Sequence, residues 1–156
     1  MHRRYQTNIT CGYAVVLVAA LAGLSAHVST SSAEPNKPVF AFSSDAAIVT
    51  VLIKPDKTAD FESVLSRLKE ALQKSENPRR KEQAAGWRVF KSAQLAQGNA
   101  VYVMRIDPVV KGEEYDITRL IAEVFPVEVQ DLFVKYKESF AGRGVTELTP
   151  FMSMQD

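Results

Sequence analysis

Two hydrophobic periods alternate along this chain. From Ala46 to Ile53 the run is almost wholly apolar and rich in β-branched residues, interrupted only by Thr50, and it stops at Lys54-Pro55. That composition predicts a strand with apolar residues on both faces. The period then changes. Phe61, Val64, Leu65, Leu68 and Leu72 form one helical stripe. Glu62, Arg67, Lys69, Glu70 and Lys74 fall on the wet side, with Thr58 as the expected N-cap. The polar stretch 76–85 allows a short second helix after Pro78. Trp87–Lys91 and Ala100–Ile106 read as two strands, separated by the hairpin signal Gln97-Gly98-Asn99. Ile117, Leu120, Ile121 and Val124 return to helical spacing. Pro126 interrupts it, and Val129, Leu132, Phe133, Tyr136 and Phe140 continue a second stripe, read as core. Gly142 and Gly144 read as stop signals. Residues 145–151 alternate and predict a last strand.

The order strand, helix, strand, strand, helix, strand predicts an α+β domain of the split βαβ, or ferredoxin-like, plan. It implies a four-stranded antiparallel sheet with the helices on one face. Because several strands are apolar on both sides, the second face needs a cover of its own. A second copy stacked sheet on sheet is the simplest one, giving a dimer of the α/β-barrel type.

The first residues follow a different grammar. Arg3 and Arg4 precede an uncharged apolar run, Tyr13 to Ala26, and Ser31-Ser32-Ala33 is a small-x-small sequence before Glu34. This is the three-part layout of a secretory signal. The run is shorter than the ~20 residues of a usual spanning helix, so cleavage after residue 33 is expected, with an uncleaved anchor as the alternative and the membrane touched only through this segment. The expected organisation is signal peptide 1–33, flexible arm 34–45, ferredoxin-like domain 46–151 and tail 152–156, in the periplasm or secreted. Cys11, His2 and His27 all lie within 1–33. The remaining chain would have neither Cys nor His, and 17 Lys and Arg against 18 Asp and Glu, a net charge of −1. That balance gives no footprint for nucleic acid.

The segments "AGWRVFK", "YVMRIDPVVKGEEYD" and "FPVEVQDLFVKYKESFAG" are similar to those of an uncharacterised family of exported bacterial proteins. The strand order resembles the dimeric α/β-barrel superfamily, which includes antibiotic-biosynthesis-monooxygenase-like proteins. The resemblance implies a homodimer, and in cofactor-independent members a pocket with Trp, Asn, Tyr and Arg. Haem-degrading members have an Asn, a Trp and a haem-ligating His. Trp87 and Asn99 are present here, but no His follows residue 27.

The chemistry available to the domain is narrow. Without Cys or His, zinc, copper and haem iron lose their usual ligands, and His-based triads are excluded. Glu113, Glu114 and Asp116 could offer oxygens, but "EEYD" lacks the glycine-bearing loop of a calcium site. The bland reading of that acidic stretch is a strand-to-helix connection with Asp116 as helix cap. No cofactor is expected. Three residues are candidates for a ligand site: Trp87, the only tryptophan; Tyr102; and Arg105, a cation on an otherwise apolar strand face. Trp87 could equally pack in a core or dimer contact, and Arg105 could sit at a rim beside a carboxylate. One reading is a non-catalytic module binding a small apolar or anionic molecule, or a protein. The other, implied by the resemblance, is a cofactor-free monooxygenase or isomerase acting on an aromatic or quinone-like substrate. There Trp87 and Tyr102 would hold the ring and Arg105 would stabilise an enolate-like oxygen. A protease-prodomain-like inhibitor ranks below both.

Overall fold

The structure, a computed structural model, describes residues 38–154; the expected signal peptide and its cleavage site lie outside the described residues. Eight elements follow one another: β1 (Ala46–Ile53), α1 (Thr58–Lys74), α2 (Pro78–Gly86), β2 (Trp87–Lys91), β3 (Ala100–Ile106), α3 (Ile117–Val124), α4 (Val129–Ser139) and β4 (Phe140–Leu148). The strands form one antiparallel sheet in the order β2-β3-β1-β4. With this connectivity it is the ferredoxin-like arrangement expected from the element order. No helix among the described residues is long and apolar enough to cross a membrane.

The alternation of side chains divides each strand between two faces. Ala47, Val49, Val51 and Ile53 of β1, with Ala100, Tyr102, Met104 and Ile106 of β3, are buried. They pack with Phe61, Val64 and Leu68 of α1 and Leu120 and Ile121 of α3 in one core. Ile48, Thr50, Leu52, Val101 and Val103 point the other way and are only half-buried. The register places Trp87, Ile106, Ala47 and Glu147 in one row across all four strands.

Local signals explain most boundaries. Asp116 Oδ1 accepts the Arg119 N–H at 3.0 Å and caps α3. Asn77 caps α2 through the Arg79 N–H, also at 3.0 Å. Gln97 and Gly98 both take positive φ and turn β2 into β3. Gly86 is required by packing: a Cβ there would lie 2.6 Å from the Pro108 carbonyl oxygen.

Four expectations are corrected. Thr58 is the first residue of α1, behind a 3-10 turn at Pro55–Lys57; its hydroxyl donates to the Pro55 carbonyl and does not cap. The last strand begins at Phe140 and ends at Leu148, with Gly142 and Gly144 inside it. Gly142 faces Leu52 of β1 across an edge pair, where a small residue fits and the ladder outweighs low strand propensity. Phe133 is 43% exposed rather than core, because α4 turns its Leu132 and Tyr136 side to the core. The arm is fastened at the Val39 and Phe40 backbone by Glu114, and Phe42 is buried edge-on to Tyr115, with ring centroids 4.9 Å apart.

Candidate functional site

The helix-side end of β2 carries a groove. The C-terminal half of α1 supplies Leu65, Leu68 and Leu72; the end of α2 supplies Ala84; and β2 supplies Trp87 and Val89. Ser66, Lys69 and Gln73 form the polar rim, and the cavity is about 420 Å³. The stripe of α1 explains it. Leu68 and Leu72 reach the core, but β2 is short and at the sheet edge, so Leu65 and Val89 run out of neighbours there. Lys69 makes no ion pair among the described residues, unlike its neighbours Arg67 and Lys74, which hold Glu70. The Trp87 ring lies 5.5 Å from that of Tyr115, and its Nε1 is shielded from solvent without an acceptor among the described residues.

The three residues singled out from the sequence do not converge. Trp87 lines the groove. Tyr102 shares its sheet face but stands further along, opposite Lys91 in the register, and does not line the groove. Its hydroxyl donates to Glu62 at 2.6 Å, and Lys91 donates to the same carboxylate oxygen at 2.8 Å. Burial, then the Glu62 carboxylate, raises the Tyr102 phenol above its ordinary value, so the group stays protonated at neutral pH. The hydrogen bonds from Lys91 and Tyr102 lower Glu62. Arg105 is on the opposite sheet face, pairing Arg88 in the register and forming an ion pair with Asp107. Strand alternation separates Arg105 from Tyr102 by the thickness of the sheet, so no single pocket holds all three.

The acidic stretch after β3 does structural work that the sequence reading understated. Glu114, only 8% exposed, accepts the backbone N–H groups of Val39, Phe40, Tyr115 and Asp116 at 2.8–3.1 Å. It therefore clamps the arm to the start of α3. Next to it Arg80, 6% exposed, donates to Glu123, Glu113 and Gln83 at 2.6–2.9 Å. Its hydrogen bonds to the Glu123 carboxylate hold the guanidinium firmly charged. Gln83 in turn donates to the Glu114 carbonyl. Arg80 and Gln83 escaped the sequence reading because their partners lie 31–43 residues away. The only local hint was their i, i+3 spacing on a helix too polar to be placed by its stripe. Among the described residues no group of three or more Asp, Glu, His or Cys could hold a metal ion.

The open sheet face is the second feature. Phe90, 51% exposed, pairs with Val103 and shares this face with Val101, Ile48, Leu52 and Leu148, and no element of the described chain covers them. Arg88 and Arg105 mark its corner at the row of Trp87.

No protein-family model and no curated protein matches the sequence. Among solved structures the chain is similar to a dimeric ferredoxin-like protein of unknown function from Thermobifida fusca YX. Identity is 16% over 72% of this chain and 96% of that one, with a TM-score of 0.32.

Proposed function

We propose that the chain is an exported, non-catalytic binding module, a homodimer through its open sheet face, that takes a small apolar molecule with an anionic head. The groove beside Trp87 carries this reading. Its volume falls in the range of small-molecule sites. Its leucines, alanine, valine and indole suit an apolar body, and Lys69 at the rim suits an anion. Catalysis is not part of the proposal, because Arg105 stands on the far face from Trp87 and Tyr102.

The dimer rests on the bare face. Four strands about 4.8 Å apart and some seven residues long present roughly 450 Å² of flat area per copy. With side-chain relief, two copies approach the ~1,000 Å² of a specific interface. A dimer of this kind is the α/β-barrel arrangement implied by the strand order. Export rests on the charged, apolar and small-residue segments within 1–33; N-terminal sequencing of chain recovered outside the cytoplasm should begin at Glu34.

The test of the site is a titration with 1-anilinonaphthalene-8-sulfonate, an aromatic anion, followed by energy transfer from Trp87. Ala84→Glu, which puts bulk and negative charge into the groove, should weaken binding at least tenfold. Lys69→Glu should weaken it less, and only for anionic probes. Unchanged binding in Ala84→Glu would overturn the reading.

A further inference from the structure

The segment after β4 is more apolar than a solvated tail. Phe151 is 94% exposed, Met154 89%, and Met152 lies between them, also exposed. We infer that this tail docks in the Trp87 groove of the partner copy, so that each groove is covered by the other protomer. The inference rests on the homodimer proposed above.

Three observations point to it. Leu148 ends β4 one residue beyond Glu147, which shares the sheet row of Trp87, so the tail leaves from the same end of the sheet as the groove. Within one chain β4 and β2 are opposite edges, about 14 Å apart at ordinary strand spacing. In a sheet-on-sheet dimer whose two-fold axis runs along the strands, the partner's β4 lies over β2 at about 10 Å, with strand direction and sheet end preserved. The partner's tail is then nearer than the chain's own. From Leu148 to Met154 the chain spans up to about 20 Å, enough to round the β2 edge and reach the helix-side groove. The chemistry also matches. Phe151, Met152 and Met154 suit walls of leucine, valine and indole. A small ligand entering the groove then has to displace the tail.

The only tryptophan in the chain reports on this groove directly. Sedimentation equilibrium first establishes the assembly of the full chain and of a chain ending at Leu148. Both are expected to be dimers. In the shortened chain Trp87 emission should move to longer wavelength, acrylamide quenching should rise severalfold, and 1-anilinonaphthalene-8-sulfonate should bind more tightly. Mixing the shortened chain with full-length Trp87→Phe should restore the blue emission, because the tail then comes from the partner. A full-length variant with Phe151, Met152 and Met154 all changed to Ser repeats the test without truncation. A dimer whose Trp87 signal ignores the tail overturns this inference and leaves the sheet-face dimer standing. Failure of the mixing to restore emission overturns it in favour of the chain's own tail. A monomeric full chain overturns the dimer itself, and this inference with it.

Discussion

The two faces of the sheet are built from nearly the same residue types and have opposite fates. On the helix side Val51, Ile53, Met104 and Ile106 are almost wholly buried. On the other side Ile48, Leu52, Val101 and Val103 alternate with them on the same strands and stay half-exposed. Strand composition therefore says that both faces are made to be covered, while the local chain provides a cover for only one. The difference separates what stabilises the monomer from what is left for association.

The largest effect should separate the faces by substitution. Phe61, fully buried, packs against Tyr102 at 4.9 Å and Phe140 at 6.0 Å between ring centroids. Phe61→Ala is expected to cost about 3–5 kcal/mol of stability, read from urea unfolding. Phe90→Asp on the open face should leave a folded domain by circular dichroism but halve the mass in sedimentation. If Phe90→Asp unfolds the chain as Phe61→Ala does, the two faces are not functionally distinct.

The next effect sharpens the comparison at the edge of the helix-side cover. Gly86 closes α2 against the loop after β3, with its carbonyl accepting the Asp107 N–H at 2.9 Å. Gly86→Ala drives a Cβ into backbone, which cannot rotate away as a side chain would, and should cost about 1–3 kcal/mol. Gly144→Ala, at β4 with open space around the added methyl, should be near neutral. Equal losses at the two sites would contradict the close approach at Gly86.

How much of this was legible beforehand follows from range. β1, β2 and β3 were read residue for residue, and the stripe of α1 was found although its first residue was taken for the cap, because these patterns are local: an apolar run, a stripe, a hairpin turn. The split of Tyr102 from Arg105 was also visible in strand parity. Which side the helices would take was not, since Val101 and Val103 are as apolar as Ala100 and Met104. Trp87 stood out as a single tryptophan, but the groove around it needs α1, α2 and β2 brought together. The start of β4 was hidden by Gly142 and Gly144, whose low strand propensity is overridden by a pairing partner some ninety residues upstream. The arm looked like a tether because its fastening acids, Glu114 and Glu147, sit more than seventy residues away.

Glu114 gives the third effect. Its carboxylate meets four backbone donors and Arg119, and a neutral amide would offer one acceptor and turn an N–H pair toward other donors. Glu114→Gln should cost about 2 kcal/mol and raise hydrogen exchange at Val39 and Phe40 beyond that of β1. Unchanged exchange there would remove the clamp from the account of the helix-side cover.

The smallest effect is a pH dependence at the other fastening of the arm. Glu147 Oε2 accepts the backbone N–H groups and hydroxyls of both Ser43 and Ser44 at 2.8–2.9 Å. Those hydrogen bonds, the Ser43 and Ser44 hydroxyls first, lower its pKa from 4.5 to about 2. A carboxylate held lower in the folded chain than in the unfolded one binds fewer protons when folded. Its contribution is complete above pH 4.5 and fades as pH falls toward 2. Because the group is open to water, the effect is small in stability and local in reach. Comparing the urea midpoint of the native chain with that of Glu147→Gln should show the two curves converging as pH drops through this window, with the difference constant above it. Curves that stay parallel down to pH 2 would mean that Ser43 and Ser44 are held by the burial of Phe42 alone, and the arm would then belong to the core rather than to its polar border.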